Sequence, residues 1–281
     1  MTETLRRNSG LTASFQESLE SPDQLVTCQQ DFFFLKSKPG GRYWVGFVTS
    51  PSSQREAFRL RYEVFNLELE EGLESSHAAG LDRDDYDAQM THLVLWDRKE
   101  ERVVGTYRLQ TVSQALEKRG LYSAREFDLT RLEPYFEALV ECGRACIARE
   151  HRSFRAVFQL WSGIASFLNA FSHHLLFGCC SLTSQDPDDG WRAMQTIRRK
   201  DYLHPDTLVS TRRPYRCGDP DREAASDLGP ALRLPRLFQA YMTLGARVIS
   251  PPALERDFKT IDFLVLLDTH TVQMSALDLV R

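Results

Sequence analysis

Six cysteines occur in this 281-residue sequence, and none falls in a paired C-x-x-C unit with zinc-binding spacing. Cys179 and Cys180 lie inside an apolar run, the pattern of small buried thiols. No apolar run approaches the ~18 residues that cross a bilayer. Residues 1–15 contain Arg6, Arg7 and Asn8 but no apolar stretch behind them, so no signal peptide is read. Basic excess is missing as well: 35 Lys and Arg stand against 39 Asp and Glu, a net charge of −4, so the electrostatic footprint of a nucleic-acid binder is absent. There is no internal repeat. What is present, 42% hydrophobic and 26% charged residues, is the balance of a soluble domain with a real core, and a cytoplasmic protein is expected.

Along the chain, residues 1–41 are polar and end in Lys38-Pro39-Gly40-Gly41, which predicts an irregular tail with a short ordered piece at Phe32–Leu35. One domain is expected over 42–281. Tyr43–Thr49 alternates as a strand. Ser53-Gln54-Arg55-Glu56 has the form of a capping box, and the apolar spacing after it predicts a helix over 54–69. Thr91–Asp97 and Arg102–Thr111 flank a charged turn and read as a hairpin. Leu139–Ile147 is a further strand, Ser153–Phe171 the strongest amphipathic helix, and Leu175–Leu182 a buried strand. A short helix over 188–199, a long polar loop over 204–231, a helix over 234–244 and a strand over 261–268 complete the reading. One antiparallel hairpin and one strand–helix–strand crossover predict an α/β fold around a mixed sheet.

Charged residues in apolar surroundings supply the candidate site. Arg61 and Phe65 are four apart on a predicted helix and share a face there, although a lone helix arginine also reads as a surface residue. Asp82, Asp84, Asp85 and Asp87 read as a solvated acidic loop or a calcium loop. The EF-hand pattern fails, because Asp87 stands where glycine is required and Leu93 where glutamate should close the loop. Arg108, Glu141 and Arg144 sit in apolar strands, and buried charges need partners. Glu141 and Arg144 are three apart, so both face one cleft only if a bulge intervenes, with Gly143 the plausible place.

The order of these features, R-x-x-V-F, D-x-Y-D, G-x-x-R-L and E-x-x-R, resembles acyl-homoserine lactone synthases. A closer resemblance is to the hemolysin-like acyltransferases of the GNAT superfamily, a group that includes the L-ornithine N-acyltransferases of ornithine lipid synthesis. It rests on YSAREFDL at 122–129, ECGRACIAREHRSFR at 141–155, FGCCS at 177–181, LPRLFQAYMTLGA at 234–246 and DFLVLLD at 262–268. The resemblance implies a GNAT fold in which the strand ending at Ile147 and the strand at 175–182 splay apart around a pantetheine arm. It implies that Arg61, Phe65, Asp84, Asp87, Arg108, Glu141 and Arg144 shape the active-site cleft.

The loop Arg149-Glu150-His151-Arg152-Ser153-Phe154-Arg155 lacks the glycines of acetyl-CoA-using relatives. Three arginines and a helix N-terminus suit a single phosphate, which favours the phosphopantetheine of acyl carrier protein over coenzyme A. The expected cofactor-binding set is Ile147, Arg149, Arg152, Ser153 and Arg155, with no tightly bound cofactor and no metal. The expected reaction is transfer of a (3-hydroxy) fatty acyl group from acyl carrier protein to the amine of a small amino acid. Ornithine comes first as acceptor, and peripheral membrane contact arises through the lipid product. Glu141 is the first candidate general base and Asp87 the second. An acyl-homoserine lactone or other N-acyl amino acid synthase, and a non-catalytic acyl or carrier-protein binding module, are the alternatives.

Overall fold

The computed structural model describes residues 27–29, 31–35, 40–206, 208–218 and 229–272. Strand β1 (Thr27–Gln29) pairs antiparallel with β2 (Phe32–Phe34), and β2 with β3 (Tyr43–Val48). Of the tail expected over 1–41, these two segments are therefore strand, and the ordered piece expected at Phe32–Leu35 is β2. Phe32 and Phe34 are buried, and the Phe32 ring lies 5.2 Å from that of Trp96. Residues 1–26, 30 and 36–39 lie outside the described residues.

Helix α1 (Pro51–Arg61) starts one signal earlier than the sequence suggests. Pro51 takes the first turn, and Ser50 and Ser53 form the capping box, with Ser53 N–H donating to Ser50 Oγ at 3.2 Å and Ser50 N–H to Ser53 Oγ at 3.3 Å. The helix expected to run to 69 is α-helical only to Arg61. Tyr62–Glu68 is π-helical, with Leu69 N–H donating to the Val64 carbonyl at 3.0 Å. Single π turns of this kind often occur at functional sites.

Strands β4 (Thr91–Asp97) and β5 (Arg102–Thr111) form the expected hairpin. A helical turn (Val112–Leu116), β6 (Phe127–Asp128) and β7 (Leu139–Ile147) follow. Next come α2 (Phe154–Ala170), β8 (Leu175–Leu182) and α3 (Pro187–Arg199). The loop expected over 204–231 contains β9 (Ser210–Thr211), which pairs with β6, while residues 207 and 219–228 lie outside the described residues. The chain closes with α4 (Arg236–Thr243), β10 (Arg247–Val248), β11 (Ala253–Glu255) and β12 (Thr260–Asp268). Among the described residues, no helix is long and apolar enough to cross a membrane.

Where one domain is expected over 42–281, the chain divides into two compact units, Met1–Gln114 with Cys142–His173, and Ala115–Glu141 with His174–Arg281. In the first unit β1 to β5 form an antiparallel run, with the later part of β7 beside β5. Helix α2 lays Leu160, Ile164, Phe167 and Leu168 onto this sheet. Gly163 permits the approach: a Cβ there would stand 2.5 Å from Leu93 Cδ1 and 2.8 Å from Val45 Cγ2. In the second unit the first residues of β7 run parallel to β8, pairing Leu139 with Leu175, Val140 with Leu176 and Glu141 with Phe177. The register of this parallel ladder is these three pairs, all within the second unit. Along its whole length β8 pairs antiparallel with β12, which also carries β10 and β11. The sheet is therefore mixed, as expected.

Candidate active site

Three arginines and three aspartates close into a ring within the first unit. Arg61 reaches Asp82 at 2.6 Å and Asp87 at 2.7 Å. Arg108 reaches Asp87 at 3.0 Å and Asp84 at 2.7 Å. Arg144 reaches Asp84 at 3.0 Å and Asp82 at 3.3 Å. Every arginine thus bridges two aspartates and every aspartate two arginines. The arginines come from the end of α1, the middle of β5 and the middle of β7, and all three aspartates from one loop. That loop is folded by its own side chains: Asp84 N–H donates to Asp87 Oδ2 at 2.7 Å, and Tyr86 N–H to Asp84 Oδ1 at 2.9 Å. The ring unites Arg61, Asp84, Asp87, Arg108 and Arg144, five of the expected site residues. Asp82 is a full member that the sequence placed only in an acidic cluster.

Arg144 enters the ring from left-handed backbone, with φ of 50°. The irregularity expected at Gly143 thus falls one residue later. Such a conformation costs a non-glycine residue roughly 1–2 kcal/mol, and two carboxylate bonds offset it. Phe65 is buried but lies in the π-helical stretch, so α-helical i, i+4 spacing no longer sets its alignment with Arg61. Phe58, one turn before Arg61, lies 5.1 Å below its guanidinium. This aromatic was missed in the sequence, although i, i+3 spacing signals it.

The ring fixes protonation states. Burial pushes the Asp87 carboxyl up, but Arg61 and then Arg108 pull it down further, leaving it well below the usual carboxylate range. Asp84 is likewise lowered: burial opposes the shift, and Arg108 and Arg144 override it. Burial would lower Arg61, and Asp87 and Asp82 raise it instead. His92, which follows the D-x-Y-D turn, donates from Nε2 to the Asp87 carbonyl at 3.1 Å. Burial above all, set against the nearby Asp87 carboxylate, lowers it to about 4, so it is neutral at physiological pH.

Glu141 belongs to the second unit and is 2% exposed. Its carboxylate accepts from Tyr122 N–H at 3.0 Å, Ser123 N–H at 2.8 Å and Ser123 Oγ at 2.5 Å. The YSAREFDL segment therefore supplies the cage of this glutamate. Nearby sequence elements gave no sign of that, because 18 residues separate Ser123 from Glu141. The thiol of Cys179 is held well above its ordinary value, by burial and then by Glu126 and Asp262, so it is a poor source of thiolate.

The expected phosphate loop lies in the first unit. Arg149 and Arg155 are exposed. Arg152 is engaged: it grips Glu68 with two bonds of 2.6 and 2.7 Å and donates from Nε to the Ile147 carbonyl at 3.0 Å. Ser153 caps α2, its Oγ accepting from Ala156 N–H at 3.3 Å. His151 is buried, with Nδ1 3.2 Å from Tyr43 Oη and Nε2 3.2 Å from Glu100 Oε2, which ties the loop to the β4–β5 turn.

Comparison with known proteins defines the class. Residues 60–162 match the acetyltransferase (GNAT) domain family, and with the mixed α/β architecture this makes the protein a GNAT-fold acyltransferase. The L-ornithine N(alpha)-acyltransferase of Rhodobacter capsulatus is 32% identical over 237 residues, covering 82% of this chain and 91% of that protein. The Rhizobium meliloti protein of the same name is 31% identical over 220 residues, 74% of each chain. Among solved structures, the N-acyl amino acid synthase FeeM from uncultured soil microbes aligns with a TM-score of 0.48 at 12% identity, over 84% of this chain and 97% of that one. The chain belongs to the family of the L-ornithine N(alpha)-acyltransferases.

Proposed function

We propose that this protein transfers a fatty acyl group, including 3-hydroxy acyl groups, from acyl carrier protein to the α-amine of L-ornithine, the first step of ornithine lipid synthesis. The observation that carries this reading is the match to ornithine acyltransferases along nearly the whole of both chains, 82% of this one and 91% of the Rhodobacter protein. The donor assignment is supported by the glycine-free stretch 149–155. Exposed Arg149 and Arg155 flank the capped N-terminus of α2 and suit the single phosphate of a phosphopantetheine arm. Arg152, held by Glu68, orders the loop. Membrane contact is peripheral and made through the lipid product.

The neutral amine attacks the thioester carbonyl, a tetrahedral oxyanion forms, and the pantetheine thiolate leaves. Glu141 takes the amine proton, directly or through water; its cage of three donors fixes where it points. Asp87, ionised and gripped by two arginines, organises the ring rather than accepting the proton. Arg144 is the most exposed of the three ring arginines and contacts the ornithine carboxylate.

The test is a turnover assay with one acyl group presented on acyl carrier protein and on coenzyme A, against ornithine, lysine, glycine and S-adenosylmethionine, with products read by mass spectrometry. Acyl-ornithine formed fastest from the carrier protein, and slowed by added salt, is the expected result. Equal rates from both donors without salt dependence would remove the carrier-protein assignment. An acyl-homoserine lactone, or an acyl derivative of another amino acid formed in preference, would replace the acceptor.

A further inference from the structure

The second unit contains a cavity of about 400 Å³, within the range of small-molecule sites. None of its lining residues belongs to the arginine–aspartate ring, the Glu141 cage or the loop at 149–155. Its wall is apolar. Met194 enters from α3, Leu203 from the chain just after it, and Leu208 and Val209 from the approach to β9. Leu208 is 41% exposed at its mouth-lining position.

Two exposed arginines share this lining. Arg198 stands in the last turn of α3, and Arg131 in the 3-10 stretch Thr130–Ala138. Arg131 donates from Nη1 to the Leu208 carbonyl at 3.2 Å, which fixes its guanidinium beside the apolar wall. One lining carboxylate opposes them, Asp128. Its Oδ1 already accepts from Thr130 N–H at 3.1 Å and Thr130 Oγ1 at 2.7 Å, so it is turned toward its own turn. The lining residues therefore carry a net positive formal charge, two arginines against one aspartate, beside apolar side chains.

We infer that this cavity binds a single-chain anionic amphiphile, an acyl chain ending in a carboxylate. The chain lies along Met194, Leu203 and Val209, and the carboxylate pairs with Arg131 and Arg198. Two sources offer that chemistry, a free fatty acid and an N-acyl amino acid, and they differ in what surrounds the carboxylate. A site for either, apart from the ring, would let the end products of acyl metabolism register on the protein.

Isothermal titration of the full chain, below the micelle threshold, tests this with laurate, N-lauroylglycine and dodecylamine. No thioester donor is present, so the outcome is independent of the transferase reading. Saturable one-to-one binding of an anionic probe is expected, at least tenfold tighter than dodecylamine, with roughly fourfold lost for each methylene removed. The Arg131→Ala/Arg198→Ala variant should weaken anion binding about tenfold or more. Leu203→Trp, which fills the cavity, should abolish it. If Leu203→Trp shifts the thermal melt, the arginine variant decides, since both its side chains are exposed. Laurate alone binding identifies a fatty acid site, and N-lauroylglycine alone identifies an N-acyl amino acid site. Dodecylamine binding as tightly as laurate, unchanged binding in the arginine variant, or no saturable binding would overturn the inference.

Discussion

Replacing Arg61 by leucine would leave Asp82 and Asp87 facing one guanidinium each, Arg144 at 3.3 Å and Arg108 at 3.0 Å. The five charged groups left in the ring would then carry a net negative charge where Asp82 is 0% and Asp87 3% exposed. Removing one partner from a buried ion pair costs about 3–5 kcal/mol, because the other charge stays buried and uncompensated. That cost is expected for Arg61→Leu and for Asp87→Leu. The Arg61→Leu/Asp87→Leu double variant should cost less than their sum by roughly 1–3 kcal/mol. Asp84 shares no bond with Arg61 and lies opposite it in the ring. Separate pairs would make Arg61→Leu and Asp84→Leu additive within roughly 0.5 kcal/mol. A closed ring couples them more strongly, since the second substitution restores neutrality. Urea unfolding followed by far-UV circular dichroism measures all of these, with the denaturant slope checked for constancy. A cost below about 1 kcal/mol for Arg61→Leu, the value of an exposed pair, would refute the account.

The remaining expectations concern pH, catalysis and packing. His92 is held at about 4 in the folded protein against about 6.5 unfolded, so the unfolded chain binds the extra proton between those values. Stability should be full above pH 6.5 and fall by roughly 3 kcal/mol as pH drops to 4, whereas Asp84 and Asp87 lose their contribution only below the ordinary carboxylate range. His92→Gln should flatten that slope, and an unchanged slope would show that His92 is not its source. Glu141→Gln sets an amide N–H₂ against backbone donors; it should cost about 1–3 kcal/mol of stability and lower kcat at least about a hundredfold. Near-normal rates across pH would leave Glu141 only as the strut of Tyr122–Ser123. Arg155→Ala should raise KM for acyl carrier protein with little change in kcat, while Arg152→Ala should also weaken protection of the 149–155 backbone in hydrogen exchange; identical behaviour of the two would contradict the Glu68 clamp. Gly163→Ala should lower the melting temperature through its clash with Leu93 and Val45, and an unaltered melt would mean that α2 can lift without cost.

Strands β4, β5, β7 and β8 were legible to the residue, because each is an apolar or alternating run. The charged candidates were legible too: Arg108, Glu141 and Arg144 interrupt apolar strands, and a buried charge announces a partner. Local patterning determined those features through the short range of hydrophobic periodicity. The π-helical turn at Tyr62–Glu68 was not readable, since nothing in YEVFNLE distinguishes i→i+5 from i→i+4 bonding. Nor was the choice of partners. Arg61 finds Asp82 and Asp87 at separations of 21 and 26 residues, and Arg144 finds Asp82 across 62. Similarly, Glu141 meets the backbone of Tyr122 and Ser123, whose N–H groups no sequence pattern marks as free. Asp87, a candidate base in the sequence, became the gripped member of a neutral ring, because proton affinity in a buried site is decided by the charges within a few ångströms. Those neighbours are chosen by tertiary packing, so the identity of the charged residues came from the sequence and their chemistry from the fold.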